Sequence, residues 1–308
     1  MTLREQYLAI LQIRELMPNT IETYMSLFDS FMRHCESINT KPENVLPEQI
    51  IFYLSQIKSE STRMQAKGTL TNLYTFVLHQ AFKTMGIPNP KRHYHAVDYL
   101  SLTELNSIFN QVKNTKQITI LKLQYACALR GSEVCNIKKK DFIKKFDIHS
   151  KWHIYDLRIC GKGGHTDIIP VPQETIAEIR NYYLNYLSEK ERQSEYLFPG
   201  QFKDGYSIGT VQKIIRKAMY NLGISKEGNH SSHLMRISRG THLLLAGVDI
   251  SFVQKLLRHK NIKTTQRYYN GVKTDDLRVV FSGADTFLKE SLSTELNLLN
   301  QQKQIKAA

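Results

Sequence analysis

The sequence has few cysteines and lacks a long apolar run. Its four cysteines, Cys35, Cys127, Cys135 and Cys160, form no Cys-x-x-Cys pair and show no metal-ligand spacing. A redox motif and a cysteine-based metal site are therefore excluded, and we expect all four thiols to be buried as small core side chains. No apolar stretch approaches the roughly 18 residues of a membrane span, and residues 1–16 carry Arg and Glu where a signal peptide needs an apolar segment. These absences predict a cytoplasmic protein without a membrane partner.

Acidic residues are also scarce relative to basic ones. The 308 residues include 42 Lys and Arg against 28 Asp and Glu. Residues 1–98 hold 10 basic and 9 acidic side chains, which leaves 32 basic and 19 acidic side chains for residues 99–308. Such an excess favours a polyanionic partner, because phosphates neutralised by Lys and Arg release counterions. Nucleic acid is the leading candidate, although charge alone leaves open a basic protein with a solvated surface.

Helical periodicity dominates the first third of the chain. Residues 20–35 place Ile21, Tyr24, Phe28 and Phe31 on one helical face. Similar patterns predict helices over residues 3–16, 47–57 and 62–85, so this part is expected to be a four-helix domain. Residues 86–91 are rich in Gly, Pro and Asn, which cannot continue a helix, and mark the start of a linker.

The remainder of the chain is predicted to mix helices with a small sheet. Ser101 and Glu104 have the spacing of a capping box and open a helix towards residue 112. Apolar and polar residues alternate over 152–160 and 165–171, which predicts two strands joined by the turn of residues 161–164. Further helices are predicted over residues 115–129, 175–187, 207–222, 232–246 and 250–257, with a tail helix near 285–300.

Several basic residues in this second part could carry chemistry, and each has an ordinary alternative. Arg130 ends an apolar helix, where it could simply satisfy the helix dipole. Lys162 lies in the predicted turn, where a lone Lys is usually solvated. His233 and Arg236 are three residues apart and share a helical face, which would also fit a partly buried His beside a surface Arg.

Glu133 stands three residues after Arg130, and His259 is followed nine residues later by Tyr268. Taken together, these residues resemble the signature of the tyrosine recombinase (phage integrase) family, of the Xer and integrase type. That family combines an Arg followed three residues later by an acidic residue, a hairpin Lys, a His-x-x-Arg pair, a His or Trp, and a Tyr nine residues after it. The matching residues occur here in the same order and with the required spacing: Arg130, Glu133, Lys162, His233, Arg236, His259 and Tyr268.

The resemblance implies a mainly α fold with a small β-sheet, and it covers nearly the whole chain. It implies a helical, SAM-like core-binding domain that contacts DNA over residues 1–87 and a linker over 88–98. A catalytic domain would follow over 99–284, with a tail helix over 285–308 that is exchanged between protomers or packs on its own domain. The expected partners are double-stranded DNA and further copies of the chain, forming a tetramer on paired sites. A need for accessory DNA-bending proteins is left open.

The implied activity is site-specific cutting and rejoining of DNA through a 3′-phosphotyrosyl intermediate, with no metal, nucleotide or other cofactor. Tyr268 would be the nucleophile, Arg130 and Arg236 would hold the phosphate, and His259 would donate a further hydrogen bond. Lys162 would be the general acid and His233 would assist Tyr268. Glu133 is assigned a supporting role beside Arg130, because an anion close to the phosphate would repel it.

Three departures from the family pattern bear on the subtype. Ile237 stands where the family often has His, and Arg258 replaces the usual Gly before the second His. The predicted hairpin also has His165 and Asp167 where basic residues are common. These changes favour an integrase or invertase of a mobile element over a chromosome-dimer resolvase. A type IB-like topoisomerase and a non-enzymatic DNA-binding regulator are the alternative functions.

Overall fold

Amphipathic helices build the first of the two compact units into which the chain divides, Met1–His95 and Ala96–Ala308. The computed structural model describes residues 1–90, 97–147, 152–160, 166–201, 205–226, 231–268 and 272. The first unit contains α1 (Leu3–Ile13), α2 (Pro18–Ser37), α3 (Pro47–Gln56) and α4 (Glu60–Asn72), with single 3-10 turns at Pro42–Asn44 and Ala81–Lys83.

The core of the first unit forms along the predicted apolar face of α2. Phe28 and Phe31 are fully buried there, and the Phe28 ring stacks on Tyr7 with centroids 5.0 Å apart. Phe31 meets Tyr53 of α3 edge to face at 5.2 Å. Aromatic pairs at these distances add to the stability that apolar burial supplies. The helical periodicity of residues 20–35 is therefore confirmed.

The single helix predicted over residues 62–85 is wrong in its second half. α4 ends at Asn72 and passes into a π-helical turn over Leu73–Val77, and His79 then adopts a left-handed backbone with φ 52°. Leu73 and Tyr74 are adjacent, yet both are fully buried. Adjacent side chains on an α-helix point about 100° apart, and the wider π turn allows both to enter the core.

The second unit surrounds a three-stranded sheet with helices. Its elements up to the sheet are α5 (Leu102–Gln111), α6 (Thr115–Ala126), α7 (Gly131–Cys135), β1 (Phe142–Asp147), β2 (Trp152–Cys160) and β3 (Thr166–Val171). The elements that follow are α8 (Gln173–Asn185), α9 (Glu189–Arg192), α10 (Ile208–Asn221), α11 (Ser231–Leu245), α12 (Ile250–Leu257) and α13 (Ile262–Gln266). A mainly α fold with a small β-sheet is thereby confirmed.

The sheet is antiparallel with the order β1-β2-β3, so β2 is central. The two predicted strands are confirmed as β2 and β3, whereas β1 was missed. β2 turns Leu157 and Ile159 towards the core, and its period of two therefore places Cys160 on the outer face. Cys160 is exposed, so the expectation of four buried thiols is wrong for this residue and confirmed for the other three cysteines.

Local sequence sets where α5 begins, whereas contacts with other elements set which residues of α11 are buried. α5 begins with the predicted capping box, in which the Glu104 amide donates to Ser101 Oγ at 3.1 Å and the Ser101 amide donates to the Glu104 carboxylate at 2.7 Å. α11 is enclosed by other elements, so even polar members such as Arg236 and Ser238 are buried.

Among the described residues, no helix is long and apolar enough to cross a membrane.

Candidate active site

Two helix ends bring separate parts of the second unit together. Ala128 has φ 49° and ends the run from α6, so that the chain turns sharply before Arg130. Arg258 has φ 52° and ends α12 in the same way. A left-handed residue ends a helix because the next amide can no longer continue the helical hydrogen bonding. Both turns expose backbone carbonyls near the side chain of Arg236.

Arg130 is the N-cap residue of α7 and is held by Glu133. Its Nη1 lies 2.7 Å from Glu133 Oε1, and its amide donates to Glu133 Oε2 at 2.7 Å. The Arg130 side chain remains 37% exposed, whereas that of Glu133 is only 7% exposed. Arg130 thus begins a helix instead of ending one, so the interpretation as a charge at a helix C-terminus is wrong. Its guanidinium is anchored on one side and open on the other.

Arg236 is a buried cation, with only 2% of the residue exposed. Its Nη1 donates to the Ala128 carbonyl at 2.8 Å, and its Nη2 donates to the Leu257 carbonyl. Burial, together with the charges of Arg130 and Arg258, lowers the pKa of Arg236 to about 10. The guanidinium is therefore still protonated at neutral pH. The picture of a partly buried His beside a surface Arg is wrong, because His233 is exposed and Arg236 is not.

His259 follows Arg258 and is oriented by a hydroxyl group. Its Nδ1 lies 2.9 Å from Thr265 Oγ1, and Thr265 is fully buried on α13. Burial and the nearby charges, led by Arg236 and Arg130, lower the pKa of His259 to about 4. The imidazole is therefore neutral at pH 7. In that form one ring nitrogen can still donate a hydrogen bond to a phosphate.

Tyr268 lies between His259 and α11 and is only 6% exposed. Its ring meets that of His259 edge to face, with centroids 5.9 Å apart. Burial raises the pKa of Tyr268, although the charge of Arg236, a hydrogen bond from Arg236 and the charge of Arg130 act in the opposite direction. The hydroxyl is therefore protonated at neutral pH and lies next to a permanent cation.

Six of the seven residues singled out from the sequence lie in the described part of the chain. The structure brings together Arg130, Glu133, Arg236, His259 and Tyr268. His233 lies on α11 one turn before Arg236, and its charge contributes to the pKa of His259. Lys162 falls outside the described residues.

The local charge suits an anion. The guanidinium groups of Arg130 and Arg258 both pair with the carboxylate of Glu133, and that of Arg236 is close enough for its pKa to respond to all three charges. Arg presents a planar fork of donors that matches phosphate oxygens. Across the ranges that the structure describes, no three His, Cys, Asp or Glu side chains are grouped so as to hold a metal ion.

Three contacts of these residues were not predicted from the sequence. Thr265 orients His259, Arg258 pairs with Glu133, and Gly240 contacts the Tyr268 ring. A small residue on the buried face of α11 was the only available sign of Gly240. The other two depend on tertiary contacts that no local pattern reports.

Replacing Gly240 by Ala should impair cleavage strongly. A β-carbon on Gly240 would lie 2.5 Å from Tyr268 Cε2 and 3.1 Å from Leu257 Cδ1, so the Tyr268 ring has to shift. Misplacement of a reacting group by about 1 Å can lower a rate about 100-fold. Adduct formation on a nicked DNA substrate, compared with DNA binding in a gel shift, measures this effect.

Gly209→Ala is the matched control for that experiment. Gly209 lies in the first turn of α10, and a β-carbon there would be 3.6 Å from Ser207 Oγ, which is ordinary contact. This variant should keep full activity and gain up to about 1 kcal/mol in the free energy of unfolding. Normal adduct formation by Gly240→Ala would show that the Tyr268 ring tolerates displacement.

Comparison with known proteins places the chain in a family. Residues 98–274 match the model of the phage integrase family. A tyrosine recombinase of Pseudothermotoga lettingae is 27% identical over 274 residues, which cover 85% of this chain and 91% of that protein. Tyrosine recombinase XerA of Pyrococcus horikoshii is 29% identical over 286 residues, with 89% and 90% covered. These matches confirm the family resemblance.

Solved structures agree on the fold. A lambda integrase fragment, crystallised as a dimer bound to a COC′ core site, is similar with a TM-score of 0.69 and 17% identity, covering 88% of this chain and 95% of that one. The XerH site-specific recombinase bound to a palindromic difH substrate gives a TM-score of 0.68 at 17% identity, covering 93% and 85%. At such identities the similarity concerns the fold alone.

Proposed function

This chain belongs to the phage integrase family of tyrosine site-specific recombinases, and from that premise we propose that it cuts and rejoins double-stranded DNA with Tyr268 as nucleophile. The observation that carries the proposal is the placement of the Tyr268 hydroxyl against the buried Arg236 guanidinium, beside a neutral His259. Family membership makes the chain an enzyme, so the non-enzymatic regulator is no longer a competing function.

The proposed reaction is a transesterification in two halves. The Tyr268 oxygen attacks the scissile phosphorus and gives up its proton with the assistance of His233, while the bond from phosphorus to the 5′ oxygen breaks. Lys162 supplies a proton to that leaving oxygen. The product is a 3′-phosphotyrosyl link and a free 5′ hydroxyl. Attack by a 5′ hydroxyl from the partner strand reverses the step and releases Tyr268, so the phosphoester energy is retained without ATP.

The cations of the site meet the main electrostatic demand of this reaction. Negative charge increases on the non-bridging oxygens as the phenol oxygen approaches, and fixed donors at that point lower the barrier. We assign the exposed side of Arg130, together with Arg236 and a ring nitrogen of His259, to those oxygens. The same cations favour the ionised phenol, which offsets part of the effect of burial on the pKa of Tyr268.

Adduct formation in EDTA tests the proposed function. The enzyme is incubated with a nicked DNA substrate, so that the short 5′ fragment diffuses away and the covalent complex accumulates. A protein–DNA band resistant to denaturant should form without added nucleotide or divalent metal, because the proposed charge stabilisers are side chains. A strict requirement for a divalent cation in the chemical step would contradict the mechanism.

The proposed role of Lys162 can be isolated with a modified substrate. A 5′-bridging sulfur makes the leaving group a thiolate, which departs without needing a proton. Lys162→Ala should therefore slow cleavage of normal DNA by roughly 100-fold or more and cleavage of the sulfur substrate much less. Equal losses on both substrates, measured as single-turnover rates, would remove Lys162 from the general-acid role.

We further propose that the enzyme acts as a tetramer on two paired DNA sites, with or without DNA-bending accessory proteins. The basic excess of residues 99–308 suits DNA. An apolar groove of about 360 Å³ in the second unit, lined by Val171, Leu243, Phe252 and Leu256, could receive the tail helix of a neighbouring protomer. Residues 285–308, which would supply that helix, fall outside the described residues.

Deleting the chain after Gly283 tests this assembly. If the tail docks on a neighbour, the deletion should weaken the complex of paired sites more than the binding of a single site. Gel shifts with one-site and two-site DNA compare the two levels. Equal losses at both levels would favour a tail packed on its own domain, and catalytic activity retained by a monomer would favour the topoisomerase alternative.

The narrower activity that we propose is integration or inversion for a mobile element. It rests on Ile237 and Arg258, where the chain departs from the common family pattern. The relative from Pyrococcus horikoshii carries the name XerA, so the other subtype, a chromosome-dimer resolvase, needs a direct test. Sequencing the DNA next to the covalent junction in trapped complexes would provide it: junctions at a single chromosomal locus would contradict the mobile-element subtype.

A further inference from the structure

Arg258 occupies a backbone conformation that suits glycine. With φ 52° and ψ 46° it is left-handed, and it ends α12 directly before His259. The family resemblance places Gly at this position, and Gly adopts this conformation without the strain that a β-carbon brings. Backbone strain that is retained in a protein tends to mark a functional position. The side chain of Arg258 should therefore have a role that offsets this strain.

The side chain of Arg258 turns inward to Glu133. It is 5% exposed, and its Nη2 lies 2.5 Å from Glu133 Oε2. Its Nη1 donates to the Leu256 carbonyl at 2.9 Å, and its Nε has no hydrogen-bond partner among the described residues. Burying a guanidinium with one nitrogen unpaired adds a desolvation penalty to the strain. Stability alone is a weak reason for such an arrangement.

Glu133 divides its carboxylate between two arginines. Oε1 accepts from Arg130 Nη1, and Oε2 accepts from both the Arg130 amide and Arg258. Arg130 Nη2 also approaches the Arg258 carbonyl at 3.5 Å. The side chain and the backbone of Arg258 therefore both contact the group that holds Arg130.

The charge balance of this trio favours DNA. An isolated pair of Glu133 and Arg130 would be neutral, and the carboxylate would compete with a phosphate for the guanidinium. Arg258 adds a second cation to the same carboxylate, so the trio keeps one net positive charge. Burial acts to raise the pKa of Glu133, but the Arg258 charge and the Arg130 hydrogen bonds outweigh it, and the pKa lies below its usual value. The carboxylate is thus ionised and fully engaged.

We propose that Arg258 is a positioning residue that works through Glu133. It holds the Arg130 guanidinium towards the scissile phosphate and offsets the negative charge of the carboxylate. This inference rests on the proposed function, in which Arg130 contacts the phosphate. The arginine that stands in place of the usual Gly thus contributes to the chemistry of this chain.

The test compares Arg258→Gly, Arg258→Lys, Glu133→Gln and the double variant Arg258→Gly with Glu133→Gln. Gly relieves the left-handed strain, so the fold should be retained. Arg258→Gly should bind nicked DNA normally but form adduct about 10- to 100-fold more slowly. Losses of this size are typical when a residue that orients a directly acting group is removed. Lys should recover part of the rate, because it restores the charge. Because Arg258 is proposed to act through Glu133, the two losses should not multiply. The double variant should form adduct no more slowly than the slower of the two single variants.

A neutral substrate and a matched control sharpen the comparison. With a methylphosphonate at the scissile position the oxygens carry less charge, so the loss in Arg258→Gly should shrink. Lys226→Met removes another largely buried cation of the second unit, which pairs with Glu104 at 2.8 Å, and should cleave at the wild-type rate. Wild-type rates for Arg258→Gly, or losses that multiply in the double variant, would overturn the proposal.

A measurement independent of cleavage separates this inference from the proposed function. The carboxyl pKa of Glu133, followed by NMR, should rise in Arg258→Gly. An unchanged pKa would overturn the inference even if the wild-type enzyme is active. A raised pKa in a wild-type protein that forms no adduct would instead refute the proposed function and leave the pairing of Arg258 with Glu133 intact.

Discussion

Tyr268→Phe should bind its DNA site normally and form no covalent adduct. The substitution removes only the hydroxyl, and the ring can keep its contacts with His259 and Gly240. Because the proposed chemistry passes through that oxygen, the loss should be complete within the sensitivity of a nicked-substrate assay. Gel shifts on the same DNA would establish that binding is unchanged.

Tyr269→Phe is the matched control for this variant. The two tyrosines are adjacent, and on a helix their side chains would point about 100° apart, so only one can face the phosphate. Tyr269 lies ten residues after His259, which breaks the family spacing, and it falls outside the described residues. It should retain adduct formation. Peptide mapping that finds phosphotyrosine at position 269, or adduct formation by Tyr268→Phe, would show that the nucleophile is misassigned.

Arg236→Lys should lower the rate of adduct formation by roughly 100- to 1000-fold, the loss typical of removing one donor from a charge-stabilising site. Lys keeps the positive charge but lacks the planar, forked guanidinium group. Its single ammonium group cannot donate to the carbonyls of both Ala128 and Leu257 and also face Tyr268. Each buried carbonyl left without a donor should also lower the free energy of unfolding by about 1–3 kcal/mol. Single-turnover rates at saturating DNA and thermal unfolding would measure the two effects separately.

Arg239→Lys provides the comparison on the same helix. The Arg239 guanidinium lies over the Tyr125 ring at 5.4 Å, an interaction that an ammonium group can also make. We therefore expect adduct formation near the wild-type rate. A loss in Arg239→Lys as large as that in Arg236→Lys would indicate that any change on α11 disables the enzyme, and the specific role of Arg236 would be refuted.

The parts of the fold that follow from local patterns were predictable from the sequence. Helical periodicity identified α2, and the spacing of Ser101 and Glu104 identified the start of α5. Strand alternation identified β2 and β3. β1 was missed because Lys144 and Lys145 interrupt its alternation, and its place depends on backbone pairing with β2. Such pairing is set by the partner strand and leaves little trace in the strand itself.

The candidate site was predictable in its members but not in its connections. The family spacing named Arg130, Arg236, His259 and Tyr268, and the described structure brings these four together. The hydrogen bond from Arg258 to Glu133 joins residues that are 125 positions apart in the sequence. The hydrogen bond from Arg236 to the Ala128 carbonyl joins residues that are 108 positions apart. Contacts over such separations arise from packing of α7, α11 and α12, so no pattern within a short window can report them. The burial of Arg236 was unexpected for the same reason.

The burial of Tyr268 has a consequence for how reactivity is controlled. Only 6% of Tyr268 is exposed, so the described conformation offers little of this side chain to the backbone of a duplex. If Tyr268 is the nucleophile, we expect an opening step before bond cleavage, so that the observed rate constant is scaled by the fraction of molecules that have opened. Encounters with unrelated DNA would then be unproductive, because specificity would be enforced at access as well as at binding.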